Sequence, residues 1–343
     1  MSRIFVAGLG AVSPAGWTVA TMRDAVSAGQ PLPTQPLEQR RDKPLLARLV
    51  PNPSVRPDFL SHPRLRRASA ITHYAASAAL EAVSPFRRAC PENERFGIIA
   101  CLQSGCVQYS CRFYDEALKN PATASPLLFP ETVYAAPSSH IAALLNNVTL
   151  VTSLVGDPSA FLQGVSLATQ WLIEDRVDAC VVIGAEETNW ITADALWHLD
   201  RTASISAGAG ALCLSREQGL SIGVELAAIT DAHTYSSKTN RARAARAMRN
   251  QLTKASSNGT MELLCDGLGS NSRANAPEMS AWHDWTGPRI SLKRILGEGL
   301  MAAAAWQCVM ACDAVAQRRF NAANASLVGF NQQAMGAKFK ALS

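Results

Sequence analysis

Apolar residues along this chain fall into short runs and helical stripes that alternate in a regular order, and the stretch Leu150–Glu187 shows the pattern best. The run Val151–Val155 reads as a buried strand and Gly156-Asp157-Pro158 as a tight turn. A helix opens at Ser159, and a second buried strand follows at Ala179–Gly184. Enzymes use this layout of strand, sharp turn, apolar helix and strand to present a nucleophile at a helix N-terminus, where free backbone N–H groups and the macrodipole stabilise negative charge. The turn here holds Pro158 and Ser159 and no cysteine.

The alternation runs from end to end. Residues 4–10 read as a first strand, followed by a turn at Val12–Gly16 and a helix over Val19–Ala28. Seven prolines between Gly29 and Asp58, with Arg40, Arg41 and Lys43, predict an irregular surface excursion. A helix resumes at about Ser69, with Ala75, Ala78, Ala79 and Ala82 on a small-residue face. Residues 96–101 read as a strand, Tyr109–Leu118 as a helix, and Pro137-Ser138 as the start of another that Ser138 or Ser139 caps. Thr188–Ala203 reads as a short connection, and 206–217 as a glycine turn followed by a strand. The Gly208-x-Gly210 spacing fits neither a dinucleotide fingerprint nor a P-loop and reads as tight backbone packing. From Ser221 the pattern restarts with a strand at 221–233 and an arginine-marked helix at about Thr239–Ala255. Segments 261–270 and 288–299, a long apolar helix over 300–316 and a strand segment at 325–332 complete a second series. Two series predict an α/β chain of two similar halves round one core: 1–219, with the irregular insertion 29–58, and 220–343.

Composition narrows the class. With 48% hydrophobic and 17% charged residues in 343, the chain reads as globular with a substantial core. No apolar run approaches the roughly 20 residues of a membrane span. Gly8, Gly10 and Pro14 interrupt any signal-peptide core, so the expected address is cytoplasmic and no membrane partner is expected. Nine scattered cysteines argue against a secreted disulfide framework and read mostly as buried small hydrophobes. Cys308 and Cys312 lack the further ligands of a zinc site and the six histidines are dispersed, so neither metal nor cofactor is expected. A net charge of +5 does not point to nucleic acid; a basic face for an acidic protein partner fits it.

Several segments, taken in order, resemble β-ketoacyl-acyl carrier protein synthases of the elongating kind. They are VAGLGAVSPAGW (6–17), LQSG (102–105), SPLLFPETVYAAPSSHIAALL (125–145), LATQWLIEDRVDACVVIGAEE (167–187), GAGALCLS (208–215), SLKRILGEG (291–299) and VGFN (328–331). The resemblance spans nearly the full length and implies a thiolase-like fold, with two similar βαβαβ halves in a five-layered α-β-α-β-α arrangement. Such synthases take an acyl chain onto a cysteine in a T-A-C-type turn, while two histidines promote decarboxylation of malonyl-carrier protein and stabilise the oxyanion. Here the cysteine position falls on Pro158, or on Ser159 if the turn slips by one. The histidine of an H-G-T-x-T motif falls on Asp266, and that of a K-x-x-x-G-H motif on Glu298, with Lys293 and Gly297 retained. All three chemical groups are replaced. A serine hydroxyl has a far higher pKa than a thiol, and two carboxylates oppose the build-up of an enolate and an oxyanion. The loop that roofs such active sites shortens to Thr188–Ser206, and the glycine-rich gate becomes Gly329-Phe330-Asn331-Gln332.

The family includes degenerate members, the chain length factors of type II polyketide systems, which complete a dimer with a catalytic ketosynthase and help to shape the acyl tunnel. The short loops here are most like the aryl-polyene type. By that resemblance Thr149, Leu150, Val151, Thr152, Ser153, Leu154 and Val155 are expected at the dimer interface; the alternative is an ordinary central strand. Tyr109, Phe113, Tyr114, Phe129, Tyr134 and Phe330 are candidates for the tunnel wall, or else core. Arg64, Arg66, Arg67, Arg243, Arg246 and Arg249 are candidates for docking an acyl carrier protein, or else a solvated basic face. Asp266 and Glu298 either join Lys293 in a polar plug or lie solvated in a vestigial pocket. Ser159 is either a helix N-cap or a residual acyl acceptor. Two functions are therefore expected as alternatives: a non-catalytic subunit heterodimerised with an active β-ketoacyl synthase, or a stand-alone acyltransferase or malonyl-carrier-protein decarboxylase using Ser159 with Asp266 or Glu298.

Overall fold

A computed structural model describes residues 3–37, 45–90, 94–254 and 261–342, so Arg40, Arg41 and Lys43 lie outside the described residues. Strand β1 (Phe5–Val12) leads to helix α1 (Val19–Ala28), which a reciprocal Thr18/Thr21 capping box opens and a left-handed Gly29 closes. The proline-rich insertion contributes two short strands, β2 (Gln35–Pro36) and β3 (Leu46–Arg48). The first half continues with α2 (Ala70–Ala89), β4 (Phe96–Leu102), α3 (Val107–Lys119), α4 (Ala136–Leu144), β5 (Val148–Val155) and α5 (Ala160–Ile173). It closes with β6 (Ala179–Glu186), α6 (Trp190–Leu199), β7 (Ile205–Ser206) and β8 (Gly208–Ser215). The second half runs β9 (Val224–Ile229), β10 (His233–Thr234), α7 (Lys238–Thr253), β11 (Glu262–Asp266), α8 (Ser272–Ala281) and β12 (Arg289–Ser291). It ends with α9 (Leu292–Leu296), α10 (Met301–Ala316), β13 (Ala322–Val328) and β14 (Gln333–Ala341).

The strands of the first half lie in the order β5-β4-β6-β8-β1 and those of the second in the order β9-β14-β13-β11-β12. The two sets join where β1 pairs briefly with β9, Phe5 opposite Glu225 and Val6 opposite Val224. Every residue of α10 from Met301 to Val315 is buried, because this helix packs β6 and β8 on one side and β13 and β14 on the other. With α5 it forms the middle layer; α2 covers the first set of strands, and α7 and α8 cover the second. The five-layered thiolase-like arrangement follows from this stacking. Close layers need small residues. A Cβ on Gly8 or Gly10 would fall 2.0 or 1.9 Å from a carbonyl oxygen of α2, at Ala82 and Ala78, and this is why β1 and the alanine face of α2 match.

Several expectations need correction. Residues 148–155 do not form a buried strand: β5 lies at the end of the sheet, bonded only to β4 among the described residues, and Val151 and Val155 are exposed. Gly208 and Gly210 sit within β8, against α10, rather than in a preceding turn. The connection after Glu187 contains a full helix, α6, and β7, which joins β3 of the insertion in a small sheet. Neither Ser138 nor Ser139 caps α4. The helix starts at Ala136, and the Ser138 hydroxyl donates to Ala135 O and lies 3.1 Å from Ser153 Oγ on β5. Helix α8 and strand β14 had no clear signal. Pro277 interrupts the helical pattern of α8, and β14 carries a buried Lys338 whose ammonium meets Glu262 at 2.6 Å, so a core strand looks polar.

Candidate functional site

The turn after β5 is closed by its own aspartate. Asp157, Pro158 and Ser159 are all buried. Asp157 Oδ2 accepts the backbone N–H of Gln332 at 3.1 Å and of Gln333 at 3.4 Å, while the Gln332 side chain returns its Oε1 to the Asp157 N–H at 3.1 Å. The Ser159 hydroxyl lies 2.7 Å from Asp157 Oδ1 and 3.1 Å from Gln333 O, so its single proton serves one of these two acceptors. No side-chain cap forms at Ser159; the residue precedes α5 in helical conformation, and the capping expectation is corrected. A Cβ on Gly329 would fall 1.8 Å from Asp157 Oδ2, so only glycine lets the 329–333 segment close over the turn. The Tyr235 hydroxyl, donating to Gly329 O, holds that segment from the far side. The Ser159 hydroxyl is buried, and its proton is engaged by the Asp157 carboxylate or Gln333 O, with no histidine bonded to it among the described residues.

The other positions matched to the synthase motifs, Asp266, Lys293 and Glu298, fall into two ion pairs. Lys293 Nζ lies 2.7 Å from Glu298 Oε2, both side chains nearly buried, and 5.4 Å from the centre of the Phe330 ring. Glu298 Oε1 accepts the Leu300 N–H at 2.9 Å. This is the expected plug for Glu298, but Asp266 does not join it. Asp266 is fully buried at the end of β11, accepts the Leu268 N–H at 3.1 Å and lies 3.3 Å from Arg289 Nε. Burial raises its pKa. Next to it the buried Glu278 accepts the Gly267 N–H and the Ser326 hydroxyl; burial and then the charge of Asp266 push its pKa up to about 7. A pocket of about 30 Å³ lies over this group, lined among others by Arg48, Arg241, Asn275, Lys293, Glu298 and Phe330. Neither Pro158 nor Ser159 reaches it. The structure therefore brings Lys293, Glu298 and Phe330 together in one pocket, which Pro158 and Ser159 do not line.

The aromatic candidates of the first half are not core. Tyr114, Phe129 and Tyr134 are exposed, Tyr109 and Phe113 are half-buried, and Phe113 and Phe129 pack with ring centres 5.5 Å apart. With Leu118, Leu127 and Val133 they form an apolar surface leading into α4, which lies beside β5. Two buried glutamates hold this surface in place. Glu186 accepts the Ser104 N–H at 3.1 Å, and Glu187 accepts the N–H groups of Ile71 at 3.0 Å and Gln108 at 2.7 Å, at the starts of α2 and α3. Burial raises Glu186 to about 8 and Glu187 to about 7. The GAEE sequence after a buried strand was their only visible signal.

The arginine candidates separate in the same way. Arg64, Arg66, Arg67, Arg243 and Arg246 are exposed. Arg249 is instead structural: its guanidinium pairs with Asp284, donates to Ala281 O at 2.6 Å and lies 5.2 Å from the Trp282 ring centre. Cysteine chemistry is unpromising, since burial raises the pKa of Cys101, Cys106, Cys180, Cys213, Cys265, Cys308 and Cys312. Among the described residues no helix is long and apolar enough to cross a membrane, and no three His, Cys, Asp or Glu side chains group as metal ligands.

No protein-family profile matches the chain, and no curated protein sequence does. Solved structures do. The ishigamide ketosynthase/chain length factor is similar over 99% of this chain and 100% of its own, with a TM-score of 0.82 at 16% identity. A β-ketoacyl synthase from Burkholderia phymatum STM815 is similar over 100% of both chains, with a TM-score of 0.82 at 15% identity. The ketosynthase ApeO in complex with its chain length factor ApeC, from Xenorhabdus doucetiae, gives a TM-score of 0.80 at 14% identity, over 99% of this chain and 98% of the other. At such identities the likeness establishes the fold: this chain has the ketosynthase-type thiolase-like fold from end to end.

Proposed function

We propose that the chain is a non-catalytic ketosynthase-like subunit of the chain length factor type, which pairs with a catalytic β-ketoacyl synthase and contributes to its acyl tunnel. The observation that carries this reading is the closed turn, in which Asp157 binds the 329–333 segment and Ser159 spends its proton internally where a synthase exposes a thiolate. The ion pairs at Glu298 and Asp266 support it, since both histidine positions now carry carboxylates held by cations. Strand β5 fits the pairing role, because an apolar edge strand with unpaired backbone groups is a template for another sheet edge. In this reading Tyr109, Phe113, Tyr114, Phe129 and Tyr134 reach toward the partner's acyl pocket, and the exposed arginines serve an acyl carrier protein docked on the pair. The short segment between Glu187 and Gly208 favours the aryl-polyene type of system.

Acylation tests the stand-alone alternative. Incubation of the purified chain with acyl- and malonyl-carrier protein, followed by intact-mass and peptide mass spectrometry, is expected to give no acyl-Ser159 and no loss of carbon dioxide. A stoichiometric adduct on Ser159 would overturn the proposal.

A further inference from the structure

We propose that the pocket bounded by β3, α7, α8 and α9 is a binding site for a small oxyanion, a carboxylate or a phosphate group, held by Arg48 and Arg241. The two guanidinium groups come from distant parts of the chain and line the same cavity. Arg48 uses its Nε on Leu32 O at 2.8 Å, and burial lowers its pKa. Arg241 gives one Nη to Val328 O at 3.3 Å and lies beside the Tyr235 phenol, while its buried Nε meets no acceptor among the described residues. A buried guanidinium donor without an acceptor is unfavourable, and in folded proteins such a donor is satisfied by a bound ion or water.

The acidic residues that face the cavity are already committed. Glu298 is paired with Lys293 at 2.7 Å, and Asp200 accepts the N–H and hydroxyl of Thr202 at 2.9 and 2.8 Å. Glu278 accepts the Gly267 N–H and the Ser326 hydroxyl. These carboxylates are thus held by other partners, and the Arg241 Nε is the buried donor of the cavity left without an acceptor among the described residues. The cavity has room for the oxygens of a carboxylate or a phosphate group. The planar, multiply donating guanidinium matches both geometries. Ser270 on the rim is exposed, so the cavity opens to solvent there. Anion binding here is independent of the pairing proposed above.

Thermal-shift titration tests the site on the purified chain, or on the complex in which it is recovered. Inorganic phosphate and acetate are each compared with sodium chloride at equal ionic strength. A saturable rise in Tm with at least one of them is expected, with the apparent Kd weakened about tenfold in Arg241→Gln and Arg48→Gln. Arg88→Gln, on the exposed surface, leaves the response unchanged. Where a Gln variant does not fold, Arg241→Lys or Arg48→Lys takes its place with the same expected direction, since the ammonium lacks the planar fork. A response to phosphate alone assigns a phosphate group, and one to acetate alone a carboxylate. No saturable response to either in the wild type, or a response that variants at both arginines retain, overturns the proposal.

Discussion

The Asp157 carboxylate accepts the backbone N–H of Gln332 at 3.1 Å across 175 residues of sequence, and so ties the turn after β5 to the segment leading into β14. Around this bond lie the Gln333 N–H, the Ser159 hydroxyl and the Gln332 side chain, all directed at the same aspartate. Asp157→Ala leaves several buried partners unsatisfied and is expected to destabilise the chain by about 3 kcal/mol; Asp157→Asn, which keeps the shape and loses the charge, by about 1 kcal/mol. Urea denaturation measures both. An alanine variant as stable as the wild type would show that the latch contributes nothing to the fold.

Lys293 and Glu298 form a buried pair, and the consequence of breaking it is asymmetric. Lys293→Met strands the Glu298 carboxylate in the pocket and is expected to lower stability by about 3 kcal/mol, whereas the double variant Lys293→Met/Glu298→Leu returns close to the wild-type value. Equal losses in the single and double variants would count against this pairing.

Stability should fall as pH rises from about 5 to 8. Burial raises Glu81, Glu187 and Glu278 to about 7 and Glu186 to about 8, above an unfolded value of 4.5. Between those limits the folded chain binds more protons than the unfolded one, so ∂ΔG/∂pH for unfolding is negative. Their contribution is fully present below pH 4.5 and is lost as pH rises through 7 to 8. Carboxylates with lowered pKa, such as Asp175 and Asp178 beside Arg95, act in the opposite sense and at lower pH. Chemical denaturation at pH 5.5 and 8.0 reads the difference; greater stability at pH 8.0 would contradict the assignment.

Carrier-protein docking separates the arginines by their environment. Charge reversal at Arg64, Arg66 and Arg67, all exposed, is expected to leave the Tm nearly unchanged and to weaken, in a salt-dependent way, binding of acyl carrier protein to the paired complex. Arg249→Ala should instead lower the Tm, because it removes the contacts to Asp284, Ala281 and Trp282. Unchanged carrier affinity in the triple variant would remove Arg64, Arg66 and Arg67 from the docking surface.

Much of the fold was legible because burial in a layered α/β protein writes itself as apolar runs and small-residue faces. Strands β4 and β6 are buried along their whole length and read as apolar runs, β6 as far as Ala185, and α10 reads as a mostly apolar helix. What periodicity could not give was position within the sheet. Residues 150–155 look like a core strand, yet β5 stands at the end of the sheet with Val151 and Val155 exposed. Strand β14 escaped notice for the opposite reason, since its buried Lys338 is neutralised by Glu262 from a distant segment. At the site, the resemblance singled out Pro158, Ser159, Asp266 and Glu298 by position, but not the partners that hold them. Asp157, Gln332, Gln333, Glu278 and Arg289 acquire their roles only through contacts between segments far apart in sequence.

The most direct measurement is the mass, by size-exclusion chromatography with light scattering, of the chain co-expressed with a catalytic ketosynthase of the same fold. A stable one-to-one complex is expected, and Val151→Lys/Val155→Lys, placed on exposed edge positions of β5, should abolish it while leaving the far-UV circular dichroism unchanged. A stable homodimer that ignores the ketosynthase, or a complex indifferent to both lysines, would contradict it.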